Sequence, residues 1–233
     1  MTTETPPSIR GISSIATRQV LAELGAAFEQ RAGGAVAIEA VGGVDAAKRV
    51  AAGERFDVVI LASDAIDKLI AAGHLQAGSR VDLVRSSVAI AVRAGAPVPD
   101  IGSEAALKRA VLAARSISYS TGPSGVALAA LFERWGVADE MRGRTVQAPP
   151  GVPVGTLVAR GEVELGFQQL SELIHVDGIT LVGGMPPEVE ITTVFSAGLP
   201  ADGPQAARVR ALLEFMTSPD AEAAKRRQGM EPA

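Results

Sequence analysis

The chain has 233 residues, enough for one or two domains that bury a core without cross-links. It contains no cysteine, which excludes disulfides, thiolate metal sites and a cysteine nucleophile. The two histidines, His74 and His175, are far apart in sequence, so we expect no metal site. The net charge of −4 argues against nucleic acid as a partner, because proteins that bind it are usually basic.

Short apolar runs typical of strands alternate along the chain with segments of helical spacing. The predicted strands are 8–13, 35–41, 57–62, 87–92, 117–120, 145–147, 164–168, 179–182 and 191–196. The predicted helices are 16–31, 44–52, 64–72, 104–114, 124–135, 154–160, 205–217 and 219–228. Such alternation predicts an α/β protein with parallel sheets.

Two features support particular elements of this prediction. The run 57–62 (DVVILA) is almost wholly apolar, as expected of a parallel strand that is covered on both faces. Ser63 and Ser103 each precede a helical segment, and a serine in that position caps a helix by accepting a hydrogen bond from a free amide. We therefore predict that both serines are N-caps.

Small or hydroxyl-bearing residues stand where several predicted strands pass into the next helix. They are Ser13, Ser14, Gly42, Gly43, Ser63, Ser124 and Gly125. A helix start has unpaired amides and roughly half a positive charge, so several starts that meet in one cleft bind an anion without many cations. In open α/β sheets that cleft lies beyond the carboxyl ends of the strands. The alternative interpretation is that each residue is an ordinary cap.

The chain also resembles a known family through segments such as GISSIATRQVLAELGAAFEQ, KRVAAGERFDVVILASDAIDKLIAAGHL, SISYSTGPSGVALAALFERWGV and TTVFSAGL. In order and spacing they resemble the molybdate-binding-protein-like branch of the type 2 periplasmic solute-binding proteins, from about Ile9 to Met230. The resemblance implies a two-lobed α/β fold, each lobe a mainly parallel sheet flanked by helices, with a ligand cleft between the lobes. Lobe one would be residues 1–85 plus 196–233, and lobe two residues 86–195.

The resemblance also implies ligand contacts at particular positions. They fall on Ser13, Ser14, Gly43, Ser63, Ser124, Gly125, the backbone amide of Val154, and Gln169. Two of these depart from the molybdate binders, which have a serine where Gly43 stands and a tyrosine where Gln169 stands.

A neighbouring branch of the same fold is more similar still, and aconitate isomerase resembles its members. That branch has Arg or Lys where Arg18 stands, and a Gln-x-Ser-Glu run where 169–172 stand. A cation in the first turn of a helix is unfavourable unless an anion compensates it, which a ligand carboxylate would do. If the chain is an enzyme, Glu172 is the candidate base.

Two functions remain open from the sequence. The first is binding of a small anion, an oxyanion or preferably a small polycarboxylate; the alternative is a cytoplasmic isomerase that moves an allylic proton on a di- or tricarboxylate. A ligand-sensing regulatory domain is a third possibility, although no output module is attached. We expect no cofactor, no nucleic acid and no membrane insertion.

The location follows from the first residues as written. Met1 to Pro7 shows no secretory leader, so we expect a cytoplasmic protein, or a periplasmic one if a leader was removed. An ABC transporter permease is an expected partner only if the protein is exported.

Overall fold

The computed structural model describes residues 8–149, 152–201 and 203–233, so the segment Met1 to Pro7 lies outside the described residues. The strands are β1 Ile9–Ser14, β2 Val36–Val41, β3 Val58–Ala62, β4 Val81–Arg93, β5 Ile117–Tyr119, β6 Leu165–Gln169, β7 Ile179–Gly184, β8 Thr192–Gly198 and β9 Glu231–Pro232. The helices are α1 Arg18–Ala32, α2 Gly43–Ala51, α3 Ser63–Ala71, α4 Glu104–Ala113, α5 Pro123–Arg134, α6 Ala138–Arg142, α7 Val154–Arg160, α8 Leu170–Leu173, α9 Ala206–Thr217 and α10 Glu222–Arg227.

The chain divides into two compact units. Unit 1 comprises Met1–Arg85 and Val194–Ala233, and unit 2 comprises Ser86–Thr193. The chain therefore passes from one unit to the other within β4 and returns within β8. None of the helices in the described part of the chain is long and apolar enough to cross a membrane.

Unit 1 is built on the sheet β2-β1-β3-β8, in which β1 pairs in parallel with both β2 and β3, and β8 runs antiparallel to β3. Both faces of β3 are covered. Val58 and Ile60 pack with α1 and α9, whereas Val59 and Leu61 pack with α2 and α3. Alternate residues of a strand point to opposite faces, so a strand covered on both must be apolar throughout. The prediction made from DVVILA is confirmed.

Unit 2 has a mixed sheet. Here β5 pairs in parallel with β6, but β4 pairs antiparallel with β6 and with β7. The expectation of a mainly parallel sheet is therefore wrong for this unit. The alternation of strands and helices in the sequence does not determine the direction of β4, the strand by which the chain enters the unit. The predicted strand 145–147 is reduced to an isolated bridge between Thr145 and Ile117.

The two predicted serine caps have different outcomes. Ser103 caps α4 as predicted, since its side chain accepts a hydrogen bond from Ala106 N. The prediction for Ser63 is wrong, because α3 begins at Ser63 itself and leaves Ala62 in the cap position, where no side-chain hydrogen bond forms. The short helices α6 and α8 were not predicted, because their few residues show no apolar period.

A lysine is buried in the core of unit 1. Lys225 lies on α10 with its side chain almost fully buried, and its Nζ donates to the carbonyl oxygen of Leu83 at 2.8 Å. Burial lowers the pKa of this amine below its usual 10.5, and the charge of Glu222 only partly opposes the shift. The folded chain therefore releases this proton at a lower pH than the unfolded chain.

We expect this difference to appear in the pH dependence of stability. Between the lowered pKa and 10.5 the unfolded state binds more protons, so the free energy of unfolding of the wild type should rise with pH relative to that of Lys225→Met. Urea denaturation of both proteins from about pH 8 upward measures it. Loss of the hydrogen bond to Leu83 shifts the free energy of unfolding of the variant by the same amount at every pH. Plots of unfolding free energy against pH that run parallel for the two proteins would therefore contradict the prediction.

A second constraint lies at the start of α5 in unit 2. Gly125 has an ordinary helical conformation, but a Cβ there would lie 1.6 Å from the carbonyl oxygen of Ser120. The backbone that leaves β5 thus passes directly against the first turn of α5, and only glycine permits this approach.

We expect Gly125→Ala to destabilise the protein by about 1–3 kcal/mol or more, because backbone cannot move aside as a flexible side chain does. The matched control is Gly143→Ala in the same unit, where a Cβ would meet nothing within 4 Å. That change should be neutral or slightly stabilising, by about 0.4–1 kcal/mol. Thermal denaturation of both variants checks the prediction, and equal stability would refute the close approach.

Candidate functional site

In unit 1 the predicted contacts collect at one edge of the sheet. Because β2, β1 and β3 are parallel neighbours, their carboxyl ends lie together. Ser14 is the last residue of β1, and Gly43 and Ser63 begin the helices that follow β2 and β3. The hydroxyl oxygen of Ser14 lies 3.7 Å from the position that a Cβ on Gly43 would occupy. Ser63 is half-buried at the first position of α3. The structure therefore brings Ser14 and Gly43 into contact distance.

The two neighbouring serines have different environments. Ser13 is fully buried, and its hydroxyl donates to the carbonyl oxygen of Glu39 at 3.3 Å, which joins β1 to β2. Ser14 is half-buried, and its hydroxyl oxygen accepts from Ala16 N at 3.4 Å at the turn before α1. Accepting that bond leaves the hydroxyl proton of Ser14 available to a ligand. Of the two serines, Ser14 is therefore the one suited to contact.

The helix starts differ in whether they already hold an acid. Asp45 lies in the first turn of α2, and Asp64 lies in the first turn of α3. By contrast, the first turns of α1, α5 and α7 contain no acidic residue. A carboxylate near a helix start offsets its partial positive charge, so a bound anion gains most at α1, α5 and α7. This weakens the case for Gly43 and Ser63 as ligand contacts.

Arg18 is the first residue of α1 and is exposed. It belongs to none of the ion pairs formed within the described ranges 8–149, 152–201 and 203–233. Arg49 shows the contrast, because Glu39 and Glu54 hold it at 2.8 and 2.7 Å. A guanidinium at the positive end of a helix with no acid beside it is electrostatically suited to an anion.

Unit 2 has a comparable edge at the carboxyl ends of β5 and β6. Ser124 and Gly125 lie in the first turn of α5, and the hydroxyl of the buried Ser124 lies 3.1 Å from that of Ser120. Val154 begins α7 with its side chain wholly buried, so only its backbone can serve a ligand. The start of α7 contacts the end of β6, where Gly155 N donates to the side chain of Gln168.

The adjacent glutamines at the end of β6 point to opposite faces, because side chains alternate along a strand. Gln168 is buried; its Oε1 accepts from Gly155 N at 3.3 Å, and its Nε2 donates to Glu172 Oε2 at 2.7 Å. The amide thus joins the start of α7 to the candidate base. Glu172 is half-buried in the first turn of α8.

Gln169 turns the other way, and its Nε2 donates to Thr193 Oγ1 at 2.9 Å. Thr193 is a residue that the sequence analysis missed, because its position beside β6 depends on how β8 packs and leaves no local signal. The histidines His74 and His175 are exposed and lie in different units. Within the described residues, no group of three or more His, Cys, Asp or Glu side chains is placed to hold a metal ion.

Comparison with known proteins gives consistent results. The profile of a family described as bacterial extracellular solute-binding proteins matches residues 9–231. A curated relative from a Pseudomonas species, named aconitate isomerase, is 42% identical over 185 residues, which cover 79% of this chain and 70% of the relative.

Two solved structures show the fold. The periplasmic molybdate-binding protein of Azotobacter vinelandii matches with a TM-score of 0.79 and 21% identity, covering 97% of this chain and 99% of that one. The substrate-binding domain of a putative molybdenum ABC transporter from Clostridium difficile matches with a TM-score of 0.77 and 13% identity, over 98% and 100% of the chains. The predicted two-lobed α/β fold is therefore confirmed, and the chain belongs to the bacterial extracellular solute-binding protein family.

Proposed function

We propose that the protein binds a small anion through the helix starts at the two edges described above. The observation that carries the proposal is Arg18, an exposed guanidinium at a helix start without an acid and without an ion-pair partner in the described ranges. The starts of α5 and α7, which also lack acids, add amide donors in unit 2.

A small polycarboxylate fits these residues better than a tetrahedral oxyanion. Gly43 and Gln169 stand where molybdate binders resembling this chain have hydroxyl groups, so two donors to an oxyanion are missing. Arg18 instead offers a planar guanidinium, whose paired N–H groups match both oxygens of a carboxylate. For an exported form of the protein, we propose an ABC transporter permease as the partner.

We expect Arg18→Gln to weaken carboxylate binding far more than Ser14→Ala. A charge-assisted hydrogen bond contributes roughly 1.5–3 kcal/mol and a neutral one about 1 kcal/mol, so the losses should be about ten- to hundredfold against about fivefold. A thermal-shift screen of citrate, trans-aconitate, molybdate and sulfate selects the ligand, and calorimetric titration at two salt concentrations measures the affinities.

The matched control for this experiment is Arg55→Gln. Arg55 is also exposed in unit 1, and it precedes β3, at the opposite edge of the sheet from Ser14. The control lowers the net charge by the same one unit but removes no ligand contact, so it reports the effect of net charge alone. If both arginine variants lose affinity alike, or if Arg18→Gln binds like the wild type, Arg18 is not in the site.

The second candidate function is isomerisation of a tricarboxylate, and the relative of 42% identity named aconitate isomerase favours it. In this reaction a base takes a proton from the allylic methylene, the double bond shifts, and the same proton or a solvent proton is delivered to the far carbon. We propose Glu172 as the base, with Arg18 and the helix starts stabilising the enolate-like charge that develops on the substrate carboxylate.

We expect the protein to exchange the methylene protons of trans-aconitate for deuterium in D2O and to form the cis isomer. Glu172→Gln should bind the substrate but lose exchange and turnover by at least a hundredfold, since removing a general base costs about 10²–10⁴-fold. Proton NMR follows the loss of the methylene signal and the appearance of the cis isomer in one sample. Saturable binding by the wild type with neither exchange nor formation of the cis isomer would eliminate the isomerase and leave the binding function intact.

A further inference from the structure

The side-chain oxygen of Gln169 has no hydrogen-bond partner among the residues that the structure describes. Gln169 is only 4% exposed; its Nε2 donates to Thr193 Oγ1 at 2.9 Å, while its Oε1 is buried and unpaired within the described structure. Leaving a buried carbonyl unpaired costs about 1–3 kcal/mol, so such an atom is rare unless something else supplies the donor.

The unpaired oxygen belongs to a residue at the site edge of unit 2. Gln169 is the last residue of β6 and pairs with Val88 of β4. On the other side of β6, the parallel strand β5 pairs with it, and Tyr119, the last residue of β5, lies opposite Phe167. Gln169 is two residues further along β6, so it lies beside the loop that leads from β5 to Ser124. The free carbonyl therefore occurs at the same edge as the start of α5.

We propose that Gln169 is the specificity-determining residue of the ligand site and that it selects an anion bearing its own O–H group. The proposal rests on the proposed anion-binding function and names its ligand class. A carbonyl oxygen only accepts hydrogen bonds, and the ionised oxygens of a carboxylate or of sulfate also only accept. A hydroxyl or acid O–H on the ligand supplies the missing donor, and an analogue without it leaves the buried carbonyl unpaired.

Thr193 is the positioning residue in this arrangement. Its hydroxyl accepts from Nε2, so Oε1 is the atom of the amide that is left without a partner among the described residues. A threonine hydroxyl can also donate, which would allow the reversed amide, with Oε1 on Thr193 and Nε2 free. The reversed amide selects ligands without a hydroxyl, such as trans-aconitate. The two orientations therefore predict opposite preferences.

Two matched pairs of ligands test the proposal by calorimetric titration at about pH 7.5. Citrate and tricarballylate differ only by one hydroxyl, and hydrogen phosphate has an O–H group that sulfate lacks. In whichever pair binds, we expect the wild type to prefer the O–H member by at least tenfold. Gln169→Leu and Thr193→Val should reduce the preference to about onefold, whereas Thr193→Ser should restore it.

The control is Gln30→Leu, which removes an exposed glutamine from α1 and should leave every affinity unchanged. Circular dichroism checks folding, and Thr193→Val carries the test if Gln169→Leu fails to fold. Equal affinities within a pair, or a wild-type preference for tricarballylate or sulfate, would overturn the inference while the proposed function stands. If none of the four anions binds, the inference fails, whereas the proposed function fails only if trans-aconitate and molybdate do not bind either.

Discussion

The starts of α1, α5 and α7 are the feature on which the proposed site depends. None of these helices has an acidic residue in its first turn, so their partial positive charge is not offset from within the helix. The parallel pairing of β1 with β2 and β3, and of β5 with β6, brings the strand ends and the helix starts that follow them to one edge of each sheet. An anion at such an edge needs few cations, which agrees with a chain of net charge −4.

The end of β6 is held by hydrogen bonds to several elements within unit 2. Gln168 joins it to α7 and to Glu172, and Gln169 joins it to Thr193 on β8. Two residues further on, the hydroxyl of Ser171 lies 3.5 Å from that of Ser86 on β4. Side chains that are fixed before a ligand arrives lose little conformational entropy on binding, which favours both affinity and discrimination.

Binding and isomerisation would use the same donors and differ in one group. Arg18 and the helix starts serve equally to hold a carboxylate or to stabilise the charge that develops on it. Only the isomerase requires a base, and the Glu172 carboxylate already accepts a hydrogen bond from Gln168. Since the position of that carboxylate depends on the Gln168 amide, the geometry of unit 2 decides whether a bound polycarboxylate can also react.

Local patterns in the sequence were sufficient to predict the α/β class, the doubly covered strand β3 and the Ser103 cap. Each of these follows from the side-chain period of a helix or strand, or from a contact a few residues away. Tertiary structure alone decided that β4 runs antiparallel to β6 and that the Ser13 hydroxyl donates to the carbonyl oxygen of Glu39. It also decided that Gln169 Nε2 donates to Thr193, which leaves the side-chain oxygen of Gln169 without a partner among the described residues. These pairings join residues far apart in the chain, and packing selects them, so neither periodicity nor composition specifies them.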